Sequence, residues 1–205
     1  MNNQDRISRL LLYKNVLVQF QAIGLVKVFS DNIGDALNIS SSLVRKDFAF
    51  FKITGSPKGG YDIESILQRI DTILGKDKTQ RVILIGIGRL GSALLYHHKA
   101  FNREGINITA GFDIDPEKLN PDKPIPIFPV DQLSEHIEKH KIKFAIVTVP
   151  ESAARHIIDV LKAEQINGIL NFTSLKAKNT DTTLIHNVNI EHELLRLVYT
   201  AGKRI

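Results

Sequence analysis

Residues 82–93 read Val-Ile-Leu-Ile-Gly-Ile-Gly-Arg-Leu-Gly-Ser-Ala, and this stretch is the most informative part of the chain. Its four leading apolar residues are typical of a buried parallel strand. Gly86, Gly88 and Gly91 follow at G-x-G-x-x-G spacing, and a helical pattern begins directly after them. In a strand–turn–helix unit these glycines allow a tight turn, a close approach of a pyrophosphate, and close helix packing. The stretch therefore predicts a dinucleotide-binding unit.

An acidic residue stands where such a unit needs one. A second predicted strand, residues 107–112, ends at Asp113, and Asp115 follows two positions later. A carboxylate about 20 residues beyond the glycines holds a ribose hydroxyl and repels a 2′-phosphate. We therefore expect NADH to bind more tightly than NADPH, although Arg89 and Lys118 oppose this preference.

The remainder of the chain alternates between strands and helices. Strands are predicted at residues 143–149, 168–172 and 184–188, with helices at 131–141, capped by Asp131, and 151–165. The proline-rich residues 116–129 are predicted as a connection. This alternation predicts a doubly wound parallel sheet, which binds ligands beyond the carboxyl ends of its strands. The residues at those ends would either contact the nicotinamide half of a bound cofactor or serve only in packing. They are Thr148, Val149, Pro150, Asn171 and Phe172.

The first fifty residues show a helix-turn-helix pattern. A long amphipathic helix stops at Gly24, a short extended link spans 27–29, and Ser30 is predicted to cap a helix over 31–37. The serine run 40–42 can cap a second short helix, which would enter the DNA major groove. Its exposed positions would be Ser41, Ser42, Arg45 and Lys46. A helical bundle that only accompanies the nucleotide unit explains the periodicity equally well.

A second feature favours a winged helix. Residues 52–61 contain glycines, Pro57 and Lys58, and suit a β-hairpin wing that would contact the DNA backbone or minor groove. Asp62 then caps a predicted helix that closes at Gly75, and residues 75–80 make the best domain linker in the chain.

Composition restricts the functional classes. The 205 residues are 43% hydrophobic and 24% charged and include no cysteine, which excludes disulfides, zinc-thiolate sites and thiol nucleophiles and suits a reducing cytoplasm. No apolar run is long enough to span a membrane, and no signal peptide is evident. The net charge of +5 is concentrated in residues 45–58, where four basic residues face one acid, Asp47.

Two further features concern partners and metals. Residues 191–201 form a predicted helix so apolar that a second subunit is its expected partner. His136 and His140 stand four positions apart on a predicted helix, but no third ligand is evident, so no metal site is expected.

Together these blocks resemble the Rex family of redox-sensing transcriptional repressors. The resemblance rests on seven collinear stretches, at residues 7–13, 44–47, 60–62, 86–94, 112–118, 148–150 and 168–172. It implies an α/β chain with a winged-helix DNA-binding domain (1–76), a Rossmann NAD(H)-binding domain (80–188) and a terminal helix (189–205) exchanged between subunits. It also implies a homodimer that binds inverted-repeat operator DNA when NADH is low and leaves it when NADH binds.

The residue patterns and the family resemblance together predict two binding sites. DNA contact is assigned to Ser42, Arg45, Lys46 and Lys58. Contact with NADH or NAD⁺ is assigned to Gly86, Ile87, Gly88, Arg89, Leu90, Gly91, Asp113, Asp115, Thr148, Val149, Pro150, Asn171 and Phe172.

This chain departs from the family pattern at three places. The wing lacks the usual aromatic and arginine residues. Asn15 stands where the family commonly has an arginine in its first helix, and Asn189 where it commonly has an acid near its last helix. The resemblance implies that these two positions link the DNA-binding and nucleotide domains. The release of DNA by NADH, which we call the switch, should therefore differ in strength in this chain.

An NAD-dependent dehydrogenase with a helical accessory domain is the alternative. Such an enzyme needs a titrating group near the nicotinamide. The strand ends at 148–150 and 171–173 offer none, and His186 has no evident partner. No catalytic residue is therefore assigned, and a regulator is favoured over an enzyme. A nucleotide-binding module without a DNA role is a third reading.

Overall fold

The computed structural model describes residues 3–56, 59–76 and 78–202, with the side chains of residues 3 and 4 left aside. The chain forms two compact units, Met1–Lys78 and Thr79–Ile205. Each unit has a hydrophobic core of its own.

The N-terminal unit has the element order of a winged helix. Its elements are α1 (Asn3–Ala22), β1 (Lys27–Val28), α2 (Ser30–Leu37), α3 (Ser41–Phe50), β2 (Tyr61–Asp62) and α4 (Ile63–Ile73). The strands β1 and β2 pair antiparallel, so the predicted link at 27–29 is in fact an edge of a small sheet. Ser56 and Gly60 exchange backbone hydrogen bonds of 2.9 and 2.8 Å across the turn between α3 and β2. Pro57 and Lys58 lie outside the described residues.

Aromatic rings and branched aliphatic residues hold this unit together. The Phe48 ring of α3 meets Tyr13 of α1 and Tyr61 of β2 edge to face, at centroid distances of 5.6 and 5.0 Å. Such pairs contribute about 0.5–1.5 kcal/mol beyond the area that they bury. The helix α3 is thereby fixed on its inner face by α1 and β2.

Capping side chains set two of the helix starts, as the sequence predicts. The Ser40 hydroxyl accepts a hydrogen bond from the Leu43 N–H at 3.2 Å, and Asp62 accepts one from the Ser65 N–H at 2.8 Å. The prediction that Ser30 caps α2 is wrong. Phe29 is the cap residue, and its N–H donates to the Asn32 side chain at 2.9 Å.

The second unit is a six-stranded parallel sheet flanked by helices. Its elements are β3 (Gln80–Ile85), α5 (Arg89–Tyr96), α6 (His98–Arg103), β4 (Ile106–Asp113), β5 (Ile127–Pro129), α7 (Leu133–His140), β6 (Phe144–Val147), α8 (Glu151–Ala163), β7 (Gly168–Asn171), β8 (Leu184–Asn187) and α9 (Ile190–Gly202). The strand order is β5-β4-β3-β6-β7-β8, and all neighbours are parallel. This is the Rossmann order, with the switch point between β3 and β6.

The sheet separates two apolar clusters. Alternate residues of β3 point to opposite faces: Ile83 and Ile85 pack with residues of α7 and α8, whereas Val82 and Leu84 pack with residues of α5 and α6. Helices therefore cover both faces, which confirms the predicted doubly wound sheet.

Two local predictions in this unit are wrong. The proline-rich stretch contains the strand β5, which pairs with residues 111–113 of β4. Asp131 does not cap α7, because a short 3₁₀ turn over Val130–Gln132 precedes the helix, whose cap residue is Gln132.

The last helix, α9, has no buried residue. The side chains of Leu194, Leu195, Leu197 and Val198 are each about 60% exposed. Within the described residues, no helix is long and apolar enough to cross a membrane.

Candidate functional site

The three glycines after β3 occupy three different environments. Gly86 has φ +93°, and a Cβ there would lie 2.8 Å from the backbone of Thr148 and Val149. At Gly91 a Cβ would lie 2.0 Å from the Gly86 carbonyl oxygen. At Gly88 nothing lies within 4 Å of an added Cβ. The first glycine thus makes the turn, the third seats the helix, and the second leaves open space.

This open space lies at a site suited to an anion. Gly88 is the cap residue of α5, and the first N–H groups of a helix have no partner within it. They carry the positive end of the helix dipole and favour a phosphate. Because β3 and β6 flank the switch point, a dinucleotide would lie across this turn. The residues present therefore fit the pyrophosphate of NAD(H).

The end of β6 is fastened to this turn. The Thr148 hydroxyl donates to the Gly86 carbonyl oxygen at 2.6 Å, and the Thr148 N–H donates to Ile85 at 2.9 Å. Val149 and Pro150 follow at the start of α8. The structure thus brings Thr148, Val149 and Pro150 beside the glycine turn.

The carboxylate of Asp113 holds the glycine turn from the other side. It accepts hydrogen bonds from the backbone N–H of Ile87 at 2.6 Å and of Asp115 at 2.9 Å, and Lys118 Nζ lies 3.3 Å away. Burial would raise the pKa of Asp113, but these bonds outweigh it and hold the pKa below its usual range. Asp113 is therefore ionised, and part of its hydrogen-bonding capacity is used inside the protein.

Lys118 places a positive charge among the acids of this loop. Its Nζ lies 3.5 Å from Asp115 as well, and its side chain is about one third exposed. Arg89 and Leu90, the first residues of α5, are also exposed. The adenosine end of the predicted site thus combines two carboxylates with a lysine.

At the end of β7, the buried amide of Asn171 braces two strands. Its Nδ2 donates to Asn187 of β8 and to the Leu175 carbonyl oxygen, and its Oδ1 accepts from the Thr173 N–H and hydroxyl. All four hydrogen-bonding positions of the amide are used. Phe172 is half-buried beside the apolar cluster of α5 and α6. The sequence placed Asn171 correctly at the strand end but missed this bracing role.

The basic residues of α3 lie on its outer face. Ser42, Arg45 and Lys46 are exposed, whereas Val44, Asp47 and Phe48 of the same helix are buried. Arginine and lysine can donate to guanine O6 and N7 or to phosphates. The helix thus presents the three predicted DNA contacts on one side, and the fourth, Lys58, lies outside the described residues.

A buried ionic cluster that sequence reasoning missed fixes α3 to α1. Asp47 is fully buried and accepts hydrogen bonds from Arg9 Nε and Nη2 at 2.6 and 2.8 Å, and from the Tyr13 hydroxyl at 2.7 Å. Burial would raise the pKa of Asp47, but the bonds from Arg9 and Tyr13 outweigh it and lower the pKa. Two features of the sequence could have indicated this cluster. Arg9 and Tyr13 stand one helical turn apart on α1, and an aspartate lies on the apolar side of α3.

Asn15 and Asn189, which are predicted to take part in the switch, lie in different structural environments. Asn15 is exposed on α1. Asn189 precedes α9, and its side-chain oxygen accepts from the His192 N–H at 2.8 Å. Asn189 is thus the N-cap of the terminal helix, a role that an aspartate would fill equally well.

Of the two histidines of α7, His136 packs against aromatic rings. His136 lies edge-on to Phe112 at 5.2 Å and 4.3 Å from the His140 ring, measured between centroids. Burial lowers the pKa of His136, as do the charges of His140 and Lys139. Within the described ranges, no group of three or more acidic or histidine side chains could hold a metal ion.

Comparison with known proteins agrees with both units. Residues 77–175 match a family model described as "CoA binding domain", and residues 5–49 match one described as "Putative DNA-binding protein N-terminus". The chain is 36% identical over 197 residues to a protein of Bacillus licheniformis named redox-sensing transcriptional repressor Rex, covering 96% of this chain and 91% of the relative. The protein of the same name from Listeria welshimeri is 32% identical over the same shares.

The chain belongs to the Rex family of redox-sensing transcriptional repressors. Two crystal structures of RSP are similar over the whole chain at 26% identity. The complex with β-NAD⁺ and operator DNA gives a TM-score of 0.91 and is covered to 94%, and the complex with β-NADH gives 0.87 and is covered to 96%. RSP is itself described as a Rex-family repressor. The family therefore confirms the predicted regulator, and the dehydrogenase alternative is not favoured.

Proposed function

We propose that this chain acts as a dimeric repressor that binds operator DNA when NADH is low and leaves it when NADH binds. One observation carries the proposal. The same chain joins a helix with an exposed basic face to a parallel sheet whose turn leaves open space at Gly88, in front of a helix N-terminus. The family membership supports this pairing of a DNA-binding unit with a redox cofactor.

The DNA contacts are assigned to the outer face of α3 and the wing. Ser42, Arg45 and Lys46 would meet base edges or phosphates in the major groove, and Lys58 would meet the backbone or minor groove. Arg45→Ala should cost about 1–3 kcal/mol of operator binding and relax base preference. Lys58→Ala should weaken binding to all sequences and lower the salt slope by about one unit.

The cofactor site is assigned to the crevice at the ends of β3, β4, β6 and β7. Gly88 and the N-terminus of α5 would receive the pyrophosphate. Asp113 and Asp115 would receive the adenosine ribose, and the residues at 148–150 and 171–172 would line the nicotinamide half. NADH or NAD⁺ would supply only its redox state as a signal, because residues 148–150 and 171–173, at the nicotinamide half, include no titrating side chain.

The dimer is assigned to α9. A helix that leaves Leu194, Leu195 and Leu197 about 60% exposed needs a partner surface, and exchange of this helix between two subunits would supply one. A two-fold dimer would present two copies of α3 to an inverted-repeat operator. A cytoplasmic location accords with a DNA-binding role and with the absence of cysteine from the sequence.

The switch is assigned to Asn15 and Asn189, where the resemblance to the family implies a charged pair. A neutral hydrogen bond is about half as strong as a charge-assisted one. We therefore expect NADH to weaken operator binding by a smaller factor than in charged relatives. A coupling of about 1 kcal/mol would shift operator affinity about fivefold.

The deciding experiment measures operator affinity by fluorescence anisotropy in the presence of NADH or NAD⁺. The probe is a duplex enriched by this chain from a library of random inverted repeats. NADH should release the duplex and NAD⁺ should not, and Gly88→Asp should abolish the response while operator binding persists. Failure to enrich any duplex at low salt would overturn the proposal, as would NADH oxidation with small carbonyl substrates that Gly88→Asp abolishes.

The role of the two asparagines needs its own variant. Asn15→Arg combined with Asn189→Asp should increase the ratio of operator affinities without and with saturating NADH. The matched control is Asn189→Asp alone, which keeps the cap of α9. A native chain that already loses a hundredfold, unchanged by the double substitution, would show that these positions do not carry the switch.

A further inference from the structure

We infer that Ser30, outside the recognition helix, orients Arg45 for base reading and so contributes to operator selectivity. This inference rests on the proposed DNA-binding role of α3. Ser30 is the first residue of α2, and Arg45 lies on the outer face of α3. The Arg45 Nη1 group donates to the Ser30 hydroxyl at 2.9 Å.

The Ser30 hydroxyl is available for this contact because it does not cap its own helix. Asn32 accepts the hydrogen bond of the Phe29 N–H, so α2 begins without the serine side chain. Ser30 is only 7% exposed, and α2 and α3 pack against one another. The acceptor oxygen is therefore held by the fold of the unit, whereas Arg45 is about half exposed.

The contact leaves the useful edge of Arg45 open. A guanidinium has five N–H donors arranged as a fork. Ser30 engages Nη1, and the Asp31 carboxylate lies 3.8 Å from the same nitrogen. Within the described residues, Nε and Nη2 make no hydrogen bond, and this pair of donors matches the spacing of guanine O6 and N7.

Asp31 contributes little to this positioning. The Asp31 and Arg45 side chains are 71% and 54% exposed, and an exposed pair at 3.8 Å is weak. The hydrogen bond to the buried serine is shorter and better fixed. We therefore assign orientation of the guanidinium to Ser30.

Orientation before binding matters because arginine has many rotamers. A side chain that is already ordered loses less conformational entropy when it meets a base pair. Freeing one long side chain lowers the affinity of a binding reaction by about two- to tenfold. Ser30 acts only through Arg45, so its effect should disappear when Arg45 is absent. Binding to phosphates without base reading should be unaffected.

A double-mutant cycle on the full chain tests the inference. The variants are Ser30→Ala, Arg45→Ala and both together, and the probes are the enriched duplex and a scrambled duplex of equal composition. Ser30→Ala should weaken binding to the enriched duplex about fivefold and leave binding to the scrambled duplex within twofold. In the Arg45→Ala background, Ser30→Ala should have no further effect on either duplex. Ser30→Thr keeps the hydroxyl and should bind as the native chain does.

The matched control is Ser134→Ala, which removes an exposed hydroxyl from α7 of the other unit and should change neither affinity. Equal losses on both duplexes would overturn the inference, because they indicate a general effect on the fold. The same holds for an unchanged loss in the Arg45→Ala background or for no loss at all. In these outcomes the native chain still prefers the enriched duplex, so the proposed DNA-binding function would stand.

Discussion

The strongest test of the N-terminal unit is removal of the charge on Asp47. Asp47→Asn keeps the shape of the side chain but takes away the negative charge that faces Arg9. In the native chain the Asp47 carboxylate accepts three hydrogen bonds, two from Arg9 and one from Tyr13. An amide has only one acceptor oxygen, and its NH₂ group would face one of these donors. We expect the variant to destabilise this unit.

The magnitude follows from the burial of the pair. Removing one partner of a buried ion pair costs about 3–5 kcal/mol. Asp47 is fully buried, but the Arg9 side chain is 16% exposed, so water still solvates part of the guanidinium. We therefore expect the lower end, about 3 kcal/mol, which is about a hundredfold increase in the equilibrium constant for opening.

Hydrogen exchange measured by mass spectrometry on the full chain is the suitable assay. Peptides from α1 and α3 report on opening of the N-terminal unit, and peptides from β3 and β6 report on the other unit. Asp31→Asn is the matched control, since it neutralises an exposed carboxylate in the same unit and should change stability by less than about 0.5 kcal/mol. If Asp47→Asn lowers the protection of α3 no more than Asp31→Asn does, the ionic cluster does not hold the helix.

The same cluster predicts a pH dependence of stability. The pKa of Asp47 is lowered in the folded chain, so its contribution is present above its usual pKa of about 4. The contribution is lost as the pH falls below that value toward the folded pKa. Exchange protection of α3 should therefore decline below about pH 4 in the native chain. In Asp47→Asn this decline should be smaller, and equal declines would contradict the assignment.

Three further predictions concern the second unit. Gly91→Ala should unfold or strongly destabilise this unit, because the added Cβ would lie 2.0 Å from the Gly86 carbonyl oxygen. Gly88→Ala, which meets open space, should leave the thermal unfolding of the unit unchanged and weaken NADH binding. Equal melting temperatures for the two variants would contradict this prediction. Lys118→Met removes the cation beside Asp113 and should weaken NADPH binding more than NADH binding in parallel fluorescence titrations. An unchanged ratio of the two dissociation constants would show that Lys118 does not reduce the preference for NADH over NADPH. Asn189→Ala removes the N-cap of α9 and should cost about 1 kcal/mol of helix stability, lowering exchange protection in that helix, while Asn189→Asp should not.

Features that depend on local interactions could be predicted from the residue pattern alone. The glycine spacing after β3 predicted a turn, an open position and a close packing contact, and the structure places one glycine in each role. The serine run 40–42 and Asp62 predicted two helix starts, where Ser40 and Asp62 are the caps, because a capping side chain bonds to a backbone N–H only three residues away. Continuous apolar runs predicted the buried strands of the parallel sheet.

Contacts between residues that are distant in the sequence could not be predicted in this way. Asp113 bonds to Ile87 across 26 positions, and Arg9 bonds to Asp47 across 38. The three-residue strand β5 exists because β4 lies beside it, and nothing in its proline-rich sequence predicts it. Ser30 shows the same limit, since its position in the sequence predicts a helix cap, whereas its hydroxyl bonds to an arginine that packing brings near. Propensity acts over a few residues, whereas a side chain finds its partner only when the whole unit has packed.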